Sequence, residues 1–235
     1  MHRRGVLMSG VVGLLAVACV AVGAMPALAD DASEARELVE KARLTIEKFT
    51  TDPAMTGFRD AVKRAKGVFI SPQVFRGAFI IGISGGSGVL LAREQEGGPW
   101  GGPAFYSVGE VSFGLQAGGD VQEVVLLALT ERGVTNLLSP SAKLGVDASV
   151  AGGPVGAGVT AESAGLSADI VSFALSKGLF IGVSLEGAVV GVREALNKAY
   201  YGAEVSPSDI LIRRSVASPH AAPLIAAVVK VAGGK

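Results

Sequence analysis

From Gly67 to Val192 this chain is written almost entirely as short apolar runs cut at close intervals by glycine. That pattern constrains the fold more than any other feature. The runs are too short for buried helices and too apolar for solvated loops, so they read as strands with at least one face buried. Two of them echo each other. IIGISGGSGVLLARE at 80–94 returns as FIGVSLEGAVVGVRE at 180–194, with Ile81, Gly82, Ser84, Val89, Arg93 and Glu94 recurring as Ile181, Gly182, Ser184, Val189, Arg193 and Glu194. An ungapped echo of this length suggests one structural unit used twice.

The segment before Gly67 is different. Ala35, Leu38, Val39, Ala42, Ile46 and Phe49 recur at helical spacing, with Glu37, Glu40, Lys41, Arg43, Glu47 and Lys48 mostly on the other side; this predicts an amphipathic helix. Asp31 followed by Glu34 resembles a capping box at its start. Asp52-Pro53 ends that helix and opens a second one, with Met55, Phe58, Val62 and Ala65 as its apolar stripe and Gly67 as its C-cap.

Beyond Gly67 the expected elements are a strand at 68–70 stopped by Ser71-Pro72 and a strand–glycine turn–strand at 77–91. Further on come a strand pair at 104–116, a buried strand at 121–129 and a helix at 131–138. Two strands over 144–160 meet at Gly152-Gly153-Pro154, and a hairpin over 169–190 turns at Lys177-Gly178. Helices at 193–200, closed by Gly202, and 224–232 end the chain. Helices first and strands after is the order of an α+β domain: N-terminal helices, then a strongly curved, mostly antiparallel sheet or barrel with short helices.

The first 29 residues read as a secretory signal peptide. His2, Arg3 and Arg4 form a positive start, Val6 to Ala24 is apolar, and Ala27-Leu28-Ala29 is a small-residue cleavage site. The alternatives are a membrane anchor, against which Pro26 and the missing charged flank argue, and lipidation at Cys19, which lacks a polar sequence after it. The expected mature protein is thus one domain over 30–235, exported and periplasmic or associated with the cell envelope. Cys19 is the only cysteine, so an exported chain of this kind owes its stability to a packed core and not to disulfides.

Acidic and basic residues balance at 21 each, which leaves no basic field to hold nucleic acid. One cysteine and two histidines in the whole chain exclude a histidine–cysteine metal site, and no calcium-loop spacing is present. The glycines at 82, 85, 86 and 88 lack the Gly-Lys-Ser/Thr of a phosphate loop. No cofactor is expected.

Several blocks in combination carry a family resemblance: AKGVFISP at 65–72, FIIGISGGSGVLLARE at 79–94, GGPWGGPAFYSVGEVSFGLQAGG at 97–119, LGVDASVAGGPVG at 144–156, SKGLFIGVSLEGAVV at 176–190 and NKAYYG at 197–202. With these the chain resembles the SYLF lipid-binding domain family, also described as an actin-binding domain in fungal endocytic proteins. The resemblance implies a non-enzymatic module that binds phospholipid, at a membrane surface or in an apolar cavity. Eukaryotic members bind phosphoinositides, and some bind actin; bacterial members are typically exported and stand alone. In that compartment actin is not an expected partner, and ordinary phospholipids are the available ligands. An envelope structural or protein-interaction module is the alternative from another class.

Two sites compete within the residues. Arg59, Lys63, Arg64 and Lys66 cluster at the end of the second helix opposite Met55, Phe58 and Val62, an apolar face bordered by cations of the kind that enters a lipid interface. The same cations also complement a helix C-terminus. Gly82-Ile83-Ser84-Gly85-Gly86 matches the G-x-S-x-G elbow of serine hydrolases, with Asp147, Asp169 or Asp209 and then His220 following in order. The recurrence of this serine at Ser184 without the glycines favours a turn residue over a nucleophile. Trp100, Phe105, Tyr106, Tyr200 and Tyr201 are read as core or as the lining of a lipid entrance, and Lys177 as a hairpin tip that meets phosphate or solvent.

Overall fold

The computed structural model describes residues 25–78, 81–94, 97–113, 118–156, 167–183 and 185–233. It opens with α1 (Met25–Thr51), a 3-10 turn (Pro53–Met55) and α2 (Thr56–Arg64). The long strands β1 (Gly67–Ala78), β2 (Ile81–Ala92), β3 (Gly101–Phe113) and β4 (Gly118–Ala128) follow, then α3 (Glu131–Leu138). Shorter strands come next: β5 (Ser141–Lys143), β6 (Val150–Gly152), β7 (Ile170–Ser176), β8 (Leu179–Gly182) and β9 (Val189–Val192). The chain closes with α4 (Glu194–Tyr201), α5 (Pro207–Leu211), a second 3-10 turn (Pro219–Ala221) and α6 (Ala222–Ala232).

The strands form one strongly curled half-barrel in the order β5-β9-β3-β2-β1-β4-β7-β6, with β8 paired to β7. Every pairing between these strands is antiparallel except β6 with β7. The expected α+β architecture is therefore the one observed.

Each face of the sheet carries a buried apolar cluster, which is why the strands read as continuous apolar runs and not as an alternation. Val68, Ile70, Val89, Leu91, Phe105, Val125, Leu127 and Phe173 face α1, α2 and α6. Their strand neighbours Phe69, Leu90, Tyr106, Val124, Leu126 and Ile170 face the opposite way, toward α3, α5 and the β5–β9 region. The period of two along each strand sorts them.

The helical stripe of α1 is buried as its spacing predicts, and Glu123 of β4 fastens the helix by accepting from Thr45 (2.8 Å) and Lys48 (2.5 Å). The helix starts at Met25, so Asp31 lies inside it and the Asp31/Glu34 capping box does not form; Glu34 pairs with Arg193 instead. In a chain cut after Ala29 the helix would begin at Asp30-Asp31. Asp52 accepts from Ala54 N–H at 2.8 Å and caps the following turn. α2 ends at Arg64 with Ala65 already extended. Lys66 then exchanges backbone bonds with Ala128 and Arg93, so Gly67 opens β1 and is not a helix cap.

Three expectations about strand limits are corrected. Ser71-Pro72 does not stop β1, because a bulge between Ile70 and Val74 absorbs the proline that cannot donate. The Gly82–Gly88 stretch is no turn but the interior of β2. A Cβ on Gly88 would fall 2.5 Å from Cζ of Phe69 and 2.7 Å from O of Ile70, so glycine is there for close packing. Of the pair expected over 104–116, 104–113 belongs to the single strand β3, and 114–116 lies outside the described residues.

Two further readings change. Of 144–160, only Val150–Gly152 is named strand, and 157–160 lies outside the described residues. The hairpin at Lys177-Gly178 forms, with φ of 50° and 79°, but 179–190 splits. β8 pairs with β7 on one flank of the sheet, whereas β9 pairs with β3 and β5 on the other. The echo of 80–94 in 180–194 is thus not a repeated unit, since 81–92 is one unbroken central strand.

Candidate functional site

The four predicted cations, three on α2 and Lys66 just beyond it, meet very different surroundings. Met55, Phe58 and Val62 are fully buried, and the ring of Phe58 meets Phe173 edge-on at 5.2 Å. That stripe is core and not an insertion face, because α2 packs directly on the sheet. Arg59 donates to the carbonyls of Thr50 (3.1 Å) and Asp52 (2.7 Å) and to Thr56 Oγ1 (3.1 Å), which ties the α1–α2 connection together. Lys63 is exposed and pairs with Asp60 at 3.1 Å. Lys66 reaches Glu131 at 2.9 Å. Arg64 is exposed and makes no ion pair among the described residues. The structure keeps Lys63, Arg64 and Lys66 together where β1 begins, while Arg59 is committed to the backbone.

The end of α2 is held by a residue that the echo had singled out. The buried guanidinium of Arg93 donates to the carbonyls of Ala65 (2.8 Å) and Lys63 and lies 4.9 Å from the Trp100 ring. Carbonyls at a helix C-terminus have no partner within the helix, and this arginine supplies one. Its counterpart Arg193 reaches Glu34 of α1 and Ser87 Oγ (2.8 Å). What survives of the echo is therefore a pair of arginines, each tying a helix to the sheet.

Ser84 sits mid-strand between Arg76 and Glu110. It lines a narrow crevice with Val74, Val108, Gln122 and Leu185, which contains neither His220 nor Asp147, Asp169 or Asp209. The strand-to-helix turn of a nucleophile elbow is not formed, so Ser84 is a strand residue and not the turn residue expected. The aspartates have structural work. Asp169 accepts from Thr130 Oγ1 (2.6 Å) and from Ser149 N–H and Oγ, and the Thr130 bond foremost holds its carboxyl below the usual range. Asp209 closes a capping box with Ser206 and is pulled down to about 2, first by the Ser206 hydroxyl. His220 meets the Tyr200 hydroxyl at 3.3 Å. No group of three or more histidine, cysteine or acidic side chains able to hold a metal occurs among the described residues.

The aromatic residues pack. Phe105 and Tyr106 are fully buried and Trp100 nearly so; Tyr200 tilts against Phe105 at 5.0 Å, and Tyr201 donates to Pro103 O at 2.8 Å. Burial pushes the Tyr106 and Tyr201 phenols well above their ordinary range. Asn197 is buried and holds the backbone of Phe105 from both sides, accepting from its N–H at 3.0 Å and donating to its carbonyl at 3.4 Å. A cavity of about 760 Å³ between α4 and α5 is open to solvent. Glu194, Lys198 and Glu204 line it alongside Leu138, Val192 and Val205.

Sequence reasoning missed one surface. Phe75, Val121 and Val189 are exposed, and all three lie toward the end of the sheet where β1 finishes and β4 and β9 start. The signal was present in Val74-Phe75. Two adjacent apolar residues on one strand must face opposite ways, and past the bulge only one of those faces is covered.

A family model described as Ysc84, Las17-binding protein actin regulator, matches residues 109–231. The chain belongs to the Ysc84 (SYLF) family. Protein YSC84 of Saccharomyces cerevisiae is 32% identical over 169 residues, covering 70% of this chain and 36% of that protein. LAS seventeen-binding protein 3 of the same yeast matches to the same extent. The human SH3 domain-containing YSC84-like protein 1 is 31% identical over 152 residues, 64% of this chain and 44% of its own length. The chain thus spans less than half of the length of these relatives. Among these names, LAS seventeen-binding protein 3 describes a binding protein, and the family description an actin regulator. Within the Ysc84 family match lie β9 and α4, with Asn197 and the Tyr200-Tyr201-Gly202 closure that the sequence marked as characteristic.

Proposed function

We propose that this Ysc84-family chain is a non-enzymatic phospholipid-binding protein of the cell envelope, exported by cleavage after Ala29, and that it meets lipid at its surface and not in an internal cavity. The observation that carries the surface reading is the filling of both sides of the sheet. Each face carries its own cluster of buried apolar side chains, and the cavity beside α4 is open to solvent, with Glu194, Lys198 and Glu204 set among its apolar lining residues. An acyl chain needs an apolar, water-excluding wall, which that cavity does not offer.

A second reading of where lipid is met places headgroup phosphates on Lys63, Arg64 and Lys66. It is favoured by the exposure of Arg64 and Lys63. The non-enzymatic reading is supported by the dispersal of Ser84, the three aspartates and His220. Replacing Ser84 by alanine is expected to leave any background ester hydrolysis unchanged. The protein-interaction alternative draws on the relatives' names, which tie them to Las17 binding and SH3 domains.

The test of surface against cavity is mass spectrometry of lipid extracted from the purified protein. The surface reading expects no stoichiometric lipid. One tightly held phospholipid per chain would contradict it.

A further inference from the structure

The surface that the sequence missed has a definite shape. Register places Phe75 opposite Val121 on β4 and opposite Gly85 on β2. Gly85 stands opposite Gly109 on β3, Gly109 opposite Val189 on β9, and Val189 opposite Lys143 on β5. Residues directly opposed in an antiparallel sheet point to the same face. Lys143, Val189, Gly109, Gly85, Phe75 and Val121 therefore form one transverse row over six strands, about 24 Å long at ~4.8 Å per strand.

The row lies on the helical side of the sheet but is not covered there. Phe75 is 58% exposed, Val121 47% and Val189 41%. Between Phe75 and Val189 the floor is Gly85 and Gly109. A Cβ on either would meet nothing closer than a backbone oxygen at 3.9 and 3.5 Å respectively, so the space above them is open. Leu179, exposed at the neighbouring β7–β8 turn, stands opposite Ser176 and through it Gln122, so it faces the other side of the sheet and is not part of the row.

The charges around the row are arranged in a telling way. On α1, below Phe75, Lys41 pairs with Glu37 and Arg193 with Glu34. On the other face of the sheet Arg76 pairs with Glu110, and Asp120 is bound by Ser176 and Gln122. Lys143 at one end of the row and Lys177 at the turn beyond the other end are exposed and make no ion pair among the described residues; the acids about them are Asp147, whose carboxylate accepts from the Lys143 N–H, Glu186 before β9, and Asp120, whose carboxyl Lys177 helps to lower. An apolar row flanked by two exposed lysines is complementary to a phospholipid interface, with acyl carbons against the row and phosphates at its ends. The strands run on for three residues past Phe75 to Ala78, about 10 Å at ~3.3 Å per residue. The linking sequences Phe79-Ile80 and Gly114-Leu115-Gln116-Ala117 carry no charge; they lie outside the described residues and are not counted in the surface.

We infer that this Phe75–Val121–Val189 row, flanked by Lys143 and Lys177, is the face that docks on a phospholipid bilayer. The inference rests on the lipid-binding reading above and decides its geometry. Lys63, Arg64 and Lys66 stand at the start of β1, about 30 Å along the strand from Phe75, so an end-on contact uses one surface or the other.

The experiment is vesicle co-sedimentation with phosphatidylcholine alone and with added phosphatidylglycerol. The wild type, the pair Phe75→Ser with Val121→Ser, and the pair Lys63→Ala with Arg64→Ala are compared. The apolar pair is expected to lose about tenfold or more in partitioning to both vesicles, while the α2 pair stays within about twofold, as surface substitutions remote from the contact do. A Phe75→Trp variant gives an independent readout, namely quenching by brominated acyl chains. Wild-type binding that survives loss of the apolar pair, or a Phe75→Trp signal untouched by brominated lipid, overturns the docking face and leaves lipid binding standing. No binding by the wild type to either vesicle overturns both.

Discussion

Replacing Arg93 by alanine is expected to loosen α2 from the sheet. The side chain is 4% exposed and gives charge-assisted hydrogen bonds to two carbonyls at the end of α2, Ala65 O and Lys63 O. Each such bond contributes about 1.5–3 kcal/mol net, and truncation leaves the acceptors unsatisfied in a buried place. Loss of the stacking over Trp100 adds about 1 kcal/mol. These terms are not additive, and a total of about 3–5 kcal/mol is expected, a large fraction of the ~5–15 kcal/mol that stabilises a typical domain. With a urea slope of about 2 kcal/mol per molar, the midpoint falls by ~1.5–2.5 M. Arg93→Lys keeps the charge but not the planar fork, and is expected to recover roughly half of the loss. Urea unfolding followed by tryptophan fluorescence measures both, since Trp100 reports on the site directly. A midpoint shift below about 0.5 M for Arg93→Ala would refute the view that this arginine is the clamp.

Asn197→Leu leaves the N–H and carbonyl of Phe105 without their side-chain partner; a loss of about 2–4 kcal/mol is expected by chemical denaturation. Gly88→Ala drives a Cβ into the Phe69 ring and the Ile70 carbonyl and should cost about 2–3 kcal/mol, against near-neutrality at the open Gly85. Asp169, whose carboxyl is lowered first by Thr130, stabilises the fold above the unfolded carboxylate pKa of about 3.9, and that share is lost as pH falls through its lower folded value. In acid titrations followed by circular dichroism, Asp169→Asn is therefore less stable than wild type at neutral pH and differs least at the acid end; an equal gap at every pH would show the carboxylate charge to be irrelevant.

The architecture was legible in the sequence because its two signals are strong and local. The α1 stripe from Ala35 to Phe49 has an unbroken helical period, and the apolar runs after Gly67 are strands whichever way they pair. Strand limits were not legible, and the reason is specific. Glycine and proline usually punctuate, but here Pro72 sits in a bulge and Gly86 and Gly88 serve close packing inside β2. The echo misled for a related reason. The same small and apolar residue types suit a central strand at 81–92 and two flank strands at 179–192, so composition alone produced part of the likeness.

For the site, the sequence places Arg59, Lys63 and Arg64 on α2, but periodicity could not say which side of the helix the sheet would take. It took the apolar stripe, which left Lys63 and Arg64 as bare surface charges and set Arg59 to work on the backbone. The exposed row was hidden because exposure is a property of what fails to cover a strand. Phe75 and Val121 look like core residues in sequence, and only the path of α1, which crosses the strands near Gln73 and Glu123, leaves them bare.

The most direct test of the central claim is flotation of the purified protein with phosphatidylcholine and phosphatidylcholine–phosphatidylglycerol vesicles on a density gradient. The account predicts that the protein rises with both kinds of vesicle, and more with the anionic ones because the phosphatidylglycerol phosphates that Lys143 and Lys177 meet are not neutralised by choline. Protein that stays at the bottom of the gradient with every composition would contradict phospholipid binding itself.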